Sequence, residues 1–192
     1  MLLRVTFHTE IASYFQSQGH EVQVVTPPPS TPQEVYTVSR LEKDLRTTLK
    51  STVERLLSPT SIVLLDWLNY IKGYRYELYC LVRNVQTTMT VVYCELETDV
   101  AVGRGKWPEA LCRDLASRME VPNPKNRWDS PLFSLRPDEP TPLEDIARAV
   151  LEGKLPRPRF APIAIAAMPN PVDAMLASPP PDVSAKSPVT ES

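Results

Sequence analysis

Apolar residues recur at helical spacing in two segments near the start of the chain. In residues 9–18 the apolar side chains fall on one face, and Gly19 follows at a position where a helix end favours a left-handed residue. Residues 39–57 place leucine and valine at spacings of three and four, with charged residues on the opposite face. Ser39 and Glu42 have the spacing of a capping box. Both segments are therefore predicted to be helices.

Strand-forming runs alternate with these helices. Residues 21–25 are rich in valine and end before three prolines, and residues 61–66, SIVLLD, form an apolar run that ends at Asp66. Unbroken apolar strands are typical of sheets that carry helices on both faces. A helix is predicted over 74–82 and another strand within 87–96. The alternation predicts an α/β protein with a parallel sheet and flanking helices.

The second half of the chain gives weaker signals. Residues 107–119 have a moderate amphipathic pattern, and residues 141–153 have a clearer one. Thr141 followed by Pro142 is a common pair at the start of a helix, and Gly153 is suited to its end. Two further helices are therefore expected.

Composition divides the chain into two parts. The 192 residues include 21 prolines and 5 glycines, and prolines are concentrated beyond residue 155. Such a segment has too few large apolar residues to form a core. We predict a folded domain over 1–155 and a disordered tail over 156–192. The alternative is that AMPNPVDAML, within the tail, docks as a short interaction motif.

Charge and cysteine content exclude several classes of protein. The formal net charge of -2 is unlike that of a basic DNA-binding protein, so no DNA binding is expected and RNA contact would need a local basic patch. The three cysteines lack CxxC spacing, and His8 and His20 lie apart from any metal-ligand motif, so no zinc site is predicted. The sequence contains neither a membrane-spanning apolar run nor a signal peptide, which indicates a cytoplasmic and nuclear protein without membrane contact.

Asp66 is the first candidate for chemistry. In open parallel sheets the ligand crevice lies at the carboxyl ends of the strands, so a carboxylate that ends a buried strand is placed to hold a metal ion or water. The alternative is that Asp66 caps the helix that follows. Local sequence leaves both roles open.

Two longer motifs carry a resemblance to a known family. The block DWLNYIKGYRYELYC, residues 66–80, and the block RMEVPNPKNRWDSPLFSL, residues 118–135, resemble motifs of the killer-toxin-insensitive twelve family, relatives of phosphoseryl-tRNA kinases. The similarity covers roughly residues 8–158. It implies a P-loop-kinase-like fold, ATP and Mg²⁺ as cofactors, tRNA-dependent ATP hydrolysis, chromatin association, and service to the Elongator complex in tRNA wobble-uridine modification.

The resemblance also assigns roles to individual residues. Asp66 matches the Walker-B-type carboxylate, where a Mg²⁺ ion would be held. Lys72, Arg75, Arg118 and Arg127 stand in the two motifs, where contact with phosphate or tRNA is one role and ion pairing within the protein is the alternative. The motif tyrosines could stack on bases, although such residues more often pack a helix onto a sheet.

The chain departs from the family at the phosphate site. The printed sequence has no GxxxxGK[ST] motif, so the nucleotide-binding P-loop is absent and the first strand is expected to be missing or altered. ATP binding is therefore expected to be weak or absent. The family's helical C-terminal domain is also expected to be missing. Trp67, beside Asp66, is expected to crowd the site. The alternatives to an impaired ATPase are a non-catalytic interaction module and a tRNA-kinase-like protein, which would share the same defect.

Overall fold

The computed structural model describes residues 7–105 and 107–153, and all of the described elements belong to one compact unit. No helix within these residues is long and apolar enough to cross a membrane. The helices are α1 (Phe7–Ser17), α2 (Ser39–Leu56), α3 (Lys72–Asn84), α4 (Thr98–Gly103), α5 (Glu109–Ser117) and α6 (Leu143–Glu152), with short 3-10 helices at Gln33–Tyr36 and Arg127–Asp129. The strands are β1 (Val22–Val25), β2 (Ile62–Leu65), β3 (Val91–Cys94) and β4 (Leu132–Leu135).

The strands form two parallel pairs. In the first pair, Val22 of β1 lies opposite Ile62 of β2, and in the second, Val91 of β3 lies opposite Leu132 of β4. The α/β class and the parallel pairing are confirmed. The described strands do not form one continuous sheet, however, because no described strand lies hydrogen-bonded between β2 and β3.

Helices cover both faces of the strands. Along β2, Ile62 and Leu64 pack into one core with α1 and α6, whereas Val63 and Leu65 pack into a second core with α2 and α3. This alternation follows from the twofold period of a strand. The first core also contains side chains of β4, so it covers the same face of both strand pairs. Its buried residues are Ile11, Phe15, Ile62, Phe133, Leu135, Ile146, Ala147 and Ala149.

Two predicted helix caps were wrong, because Glu42 and Thr141 form hydrogen bonds with residues far away in the sequence. The N-cap of α2 is Val38 without a side-chain hydrogen bond, so Ser39 and Glu42 do not form a capping box. The N-cap of α6 is Pro142 rather than Thr141, and the Thr141 hydroxyl donates instead to Glu10 of α1 at 2.6 Å. The predicted ends at Gly19 and Gly153 are confirmed by positive φ angles of 83° and 64°.

Other sequence predictions fall short of the structure or lie outside it. Strand β4 was recognised only as part of a motif, and α4 was not predicted. The domain boundary at residue 155, the proposed tail over 156–192 and its docking motif lie outside the described residues, so they stay predictions.

Candidate functional site

The carboxyl ends of β2 and β3 meet at one edge of the molecule. Asp66 follows β2 directly, and Cys94 is the last residue of β3. Cys94 faces an open cavity, yet burial among the surrounding protein atoms raises the pKa of its thiol to about 11, and the negative charge of Asp66 adds to this rise. Both residues line this cavity, so the two strand ends open onto the same space.

His8 of α1 closes on Asp66 at this edge. The His8 Nδ1 atom lies 2.6 Å from the Asp66 Oδ2 atom, with side-chain exposures of 28% and 48%. When His8 is protonated the contact is an ion pair, and solvent access keeps its energy modest. Sequence patterns do not predict a carboxylate near His8, since His8 and Asp66 are 58 positions apart.

A cavity of about 710 Å³ extends from this edge between β2 and β3. Its walls are mainly apolar and come from the helices on both faces as well as from the two strands. Asp66 and Glu95, which follow the carboxyl ends of β2 and β3, line the cavity together with Arg104. Glu95 is held by Arg136 at 3.0 Å, and the hydrogen bond lowers its pKa.

The residues at this opening do not fit ATP and Mg²⁺. A phosphate-binding loop supplies backbone N–H groups from glycines, a lysine for the β and γ oxygens, and a hydroxyl for the metal ion. Among the described residues that line the cavity, the cationic side chains are Arg104 and, when protonated, His8 and His20. The Asp66 carboxylate is already engaged by His8. No group of three metal-ligating side chains exists within residues 7–105 and 107–153.

Arg75 and Asp129 form a buried ion pair that joins the two sequence motifs. The Arg75 Nε atom donates to Asp129 at 2.6 Å, and the side chains are 3% and 0% exposed. Arg75 also donates to the carbonyl groups of Asn69 and Tyr70 at 3.0 Å. A guanidinium buried in this way cannot reach an external phosphate, so Arg75 fixes the connection after β2 to the loop before β4.

Asp129 receives further hydrogen bonds that determine its charge state. Burial by itself would raise the pKa of the Asp129 carboxyl. The hydrogen bonds from Arg75, the Asn123 backbone and the Asn126 side chain outweigh burial and hold the pKa below its ordinary value of 3.8. The two backbone and side-chain amides donate at 3.0 and 3.2 Å. Asp129 is therefore ionised throughout the neutral range.

Arg118 belongs to a second internal network, centred on Glu42. Glu42 is 2% exposed and accepts from Tyr70 at 2.6 Å, from Arg46 at 2.7 Å and from Arg118 at 3.0 Å. Burial, together with the hydrogen bond to Glu42, raises the pKa of Tyr70 to about 12. Arg118 also donates to the Tyr36 carbonyl at 3.0 Å. The network ties α2 to the connection before α3 and to the end of α5.

Lys72 and Arg127 are exposed, whereas Arg75 is buried and Arg118 is half-buried. The Lys72 ammonium lies 5.5 Å from the ring centroid of Trp128, and Tyr76 meets the same ring edge to face at 5.3 Å. Tyr76 is 48% exposed. The Lys72 backbone N–H donates to the Glu120 carboxylate. We name Lys72, Tyr76, Arg127 and Trp128 the basic aromatic patch.

The structure thus separates the candidate residues into three places. Asp66 lies at the crevice, Arg75 is buried, Arg118 is half-buried with its guanidinium held by other residues of the protein, and Lys72 and Arg127 lie on the surface. Sequence analysis did not predict the roles of His8 and Glu42. The signal at His8 was its residue type alone, and the spacing at Glu42 indicated a helix cap. The expected crowding by Trp67 is wrong, because its ring packs edge to face on Tyr74 with centroids 6.1 Å apart and does not line the cavity.

Known proteins with related sequences and structures identify the family of this chain. Residues 4–177 match the family described as chromatin associated protein KTI12. The chain is 44% identical to a Protein KTI12 homolog of Xenopus laevis over 131 residues, 65% of this chain and 48% of the relative. It is 40% identical to the Danio rerio homolog over 159 residues, 78% of this chain and 58% of the relative. The chain thus spans about half the length of these curated relatives.

A solved structure gives the same assignment for the fold. It is that of Chaetomium thermophilum Kti12 in complex with ADP-AlF3, with 29% sequence identity and a TM-score of 0.54. The match covers 75% of this chain and 87% of the solved chain. The sequence match and the structural match together establish that this chain belongs to the KTI12 family.

Proposed function

We propose that this chain is an accessory factor of the Elongator complex in tRNA wobble-uridine modification, and that it acts by binding rather than by ATP hydrolysis. Family membership supports the accessory role. The observation that carries the second part is the crevice itself, where His8 engages Asp66 and the described surroundings offer no phosphate cradle. The family's description as chromatin associated supports a nuclear location, and a cytoplasmic pool is proposed as well.

Nucleotide binding by a relative is the property with which this chain is compared. The Chaetomium thermophilum relative was crystallised with ADP-AlF3, a complex in which aluminium fluoride stands in for a transferring phosphoryl group. Phosphoryl transfer depends almost entirely on positioning and electrostatic stabilisation of the phosphates. A tRNA-kinase-like activity would need the same phosphate contacts, so it is disfavoured for the same reason.

The basic aromatic patch is the surface that we propose for tRNA. Exposed aromatic rings can stack on bases, and exposed cations can pair with phosphates, which is the combination found on RNA-binding surfaces. Lys72 and Arg127 supply the charges, while Tyr76 and Trp128 supply the rings. Arg75 and Arg118 do not belong to this surface, because their guanidinium groups are used inside the protein.

Fluorescence anisotropy with labelled tRNA tests the patch. The double variant Lys72→Ala with Arg127→Ala should weaken binding by about 10-fold or more at low salt and should lower the salt slope by about one per lost phosphate contact. The matched control is Lys43→Ala with Arg55→Ala, which removes two exposed cations from α2. An equal effect of both double variants would show that only net charge matters and would exclude the patch as a site.

Association with Elongator requires a separate experiment. Purified chain should be retained by purified Elongator in a pull-down without added nucleotide, and ATP hydrolysis in the mixture should not exceed that of Elongator and tRNA alone. Retention that depends on ATP would contradict a binding role. Absence of retention would contradict the accessory role, whatever the result of the tRNA experiment.

A further inference from the structure

An internal ion pair joins the two elements that carry the aromatic rings of the basic aromatic patch. Tyr76 belongs to α3, and Trp128 belongs to the short 3-10 helix before β4, which packs against α3. Tyr76 directly follows Arg75 in the sequence, and Trp128 directly precedes Asp129. The buried pair of Arg75 and Asp129 therefore fixes the two rings relative to each other. A surface held in this way loses little conformational freedom when a ligand binds.

The two rings of the patch have different surroundings. The rings of Tyr76 and Trp128 meet edge to face, with centroids 5.3 Å apart and an angle of 84° between their planes. The Trp128 ring also carries the Lys72 ammonium at 5.5 Å and is half-buried, whereas Tyr76 is 48% exposed. Trp128 therefore supports its neighbours, and Tyr76 is the ring that presents open surface to a ligand.

The charges around the exposed ring favour an anionic ligand. Lys72 and Arg127 are both exposed and come from different elements, so they can contact a ligand from two directions. Two acids lie near them in the structure, and both have partners within the protein. Glu77 pairs with Lys50 of α2 at 2.6 Å, and Glu120 accepts the Lys72 backbone N–H. Cations outnumber acids among these residues, which suits a chain of phosphates.

An exposed ring between cations selects for an unpaired nucleotide. Inside a duplex each base is stacked on both faces, so an aromatic side chain cannot stack on it. An unpaired base offers its face to such a ring, and the phosphates of the same strand lie within reach of flanking cations. Contacts from cations alone would bind a duplex as readily as a single strand, because they read only phosphate charge.

We propose that Tyr76 stacks on an unpaired base of tRNA, while Lys72 and Arg127 contact phosphates of the same strand. This role rests on the proposed function, because it requires the basic aromatic patch to be the tRNA surface. It adds the class of RNA that the patch recognises, which is a single-stranded loop or end and not a helical stem. The Trp128 ring holds the Lys72 ammonium beside the stacked base.

Fluorescence anisotropy of the full chain with three labelled RNAs tests this specificity. The RNAs are an anticodon stem-loop, an acceptor-stem duplex with its single-stranded 3′ end, and the same duplex with blunt ends. At least one of the first two should bind about 10-fold more tightly than the blunt duplex, and the preferred RNA identifies the segment that is recognised. Tyr76→Ala should remove this preference, and Tyr76→Phe, which keeps the ring, should retain it. Equal binding of all three RNAs by the wild type would overturn the proposal.

Two other variants separate the stacking role from the proposed function. Leu151→Ala, which removes an apolar side chain of similar exposure, 51%, from α6, should change neither the affinity nor the preference. If Lys72→Ala with Arg127→Ala weakens tRNA binding but Tyr76→Ala keeps the preference, the stacking role alone is overturned. If neither of these variants weakens tRNA binding, the patch is not the tRNA surface and both roles fail. Loss of Elongator retention in Tyr76→Ala at full RNA affinity would assign the ring to a protein partner and overturn the proposal.

Photocross-linking gives an independent test in the wild-type chain. 4-Thiouridine is placed in the unpaired segment of the preferred RNA, and the protein residues that become linked on irradiation are mapped by mass spectrometry. Linkage should occur at Tyr76, and 4-thiouridine placed in the stem of the same RNA should not link to this residue. Linkage only at residues outside the basic aromatic patch, or equal linkage from loop and stem, would overturn the proposal.

Discussion

The buried ion pair of Arg75 and Asp129 allows the sharpest prediction about stability. The variant Asp129→Asn removes the negative charge but preserves the size of the side chain. Arg75 then keeps its charge at 3% exposure without a counter-charge, and one donor of the new amide faces a donor. Removal of one partner of a buried pair costs about 3–5 kcal/mol. We expect a loss of that size in the free energy of unfolding.

Urea denaturation followed by far-ultraviolet circular dichroism measures this loss. The matched control is Asp99→Asn, because Asp99 pairs with Arg113 at 3.1 Å but both side chains are largely exposed. An exposed pair of this kind contributes no more than about 1 kcal/mol. Equal losses in the free energy of unfolding for the two variants would contradict this prediction. They would mean that the Arg75 charge is solvated or paired elsewhere once Asp129 is replaced.

The pH dependence of the free energy of unfolding tests the same ion pair independently. The hydrogen bonds hold the pKa of Asp129 below its ordinary value, so the stabilising contribution is complete above the pKa of the unfolded carboxyl and is lost as the pH falls through the folded pKa. The difference between wild type and Asp129→Asn should therefore be greatest near pH 7 and should shrink below about pH 4. A difference that grows toward acid pH would contradict this assignment.

Two further predictions concern stability. Glu42→Ala should lower the free energy of unfolding by about 2–4 kcal/mol, and thermal unfolding should show the loss. The variant removes the acceptor of the buried Tyr70 hydroxyl and a carboxylate partner of Arg46 and Arg118, although Arg118 keeps its hydrogen bonds to Asp114 and Tyr36. Gly153→Ala should cost about 1 kcal/mol, because the residue has a φ of 64° and the added methyl group would meet Thr88 at 3.3 Å, as a urea titration would show. An unchanged free energy of unfolding in either variant would contradict the structural reason given for its loss.

The sequence predicted those elements that depend on local pattern. The leucine stripe of α2 has helical periodicity and β2 is an unbroken apolar run, so both positions agree with the structure within a few residues. Strand β4 escaped prediction because Ser134 interrupts its apolar residues, so no unbroken run marks it. Its identity as a strand depends on its pairing with β3, which lies about 40 residues earlier in the chain.

The site could be predicted only in part, for a related reason. Asp66 was predictable because a carboxylate that ends a buried strand has one location in a parallel sheet. Glu42 had the spacing of a helix cap, but its carboxylate instead accepts from Arg118, 76 positions later. Likewise, Lys72 and Arg75 are near neighbours in one motif, and only the fold shows that the first is exposed and the second is buried.

Isothermal titration calorimetry with ATP and Mg²⁺ measures whether this chain has a functional nucleotide site. The claim is that this member of the KTI12 family keeps the crevice carboxylate but acts by binding without a functional nucleotide site. The wild-type chain should bind no more tightly than about 1 mM, a free energy near −4 kcal/mol, and Asp66→Ala should give the same trace as the control Asp99→Ala. Micromolar binding that Asp66→Ala abolishes and Asp99→Ala preserves would contradict the claim.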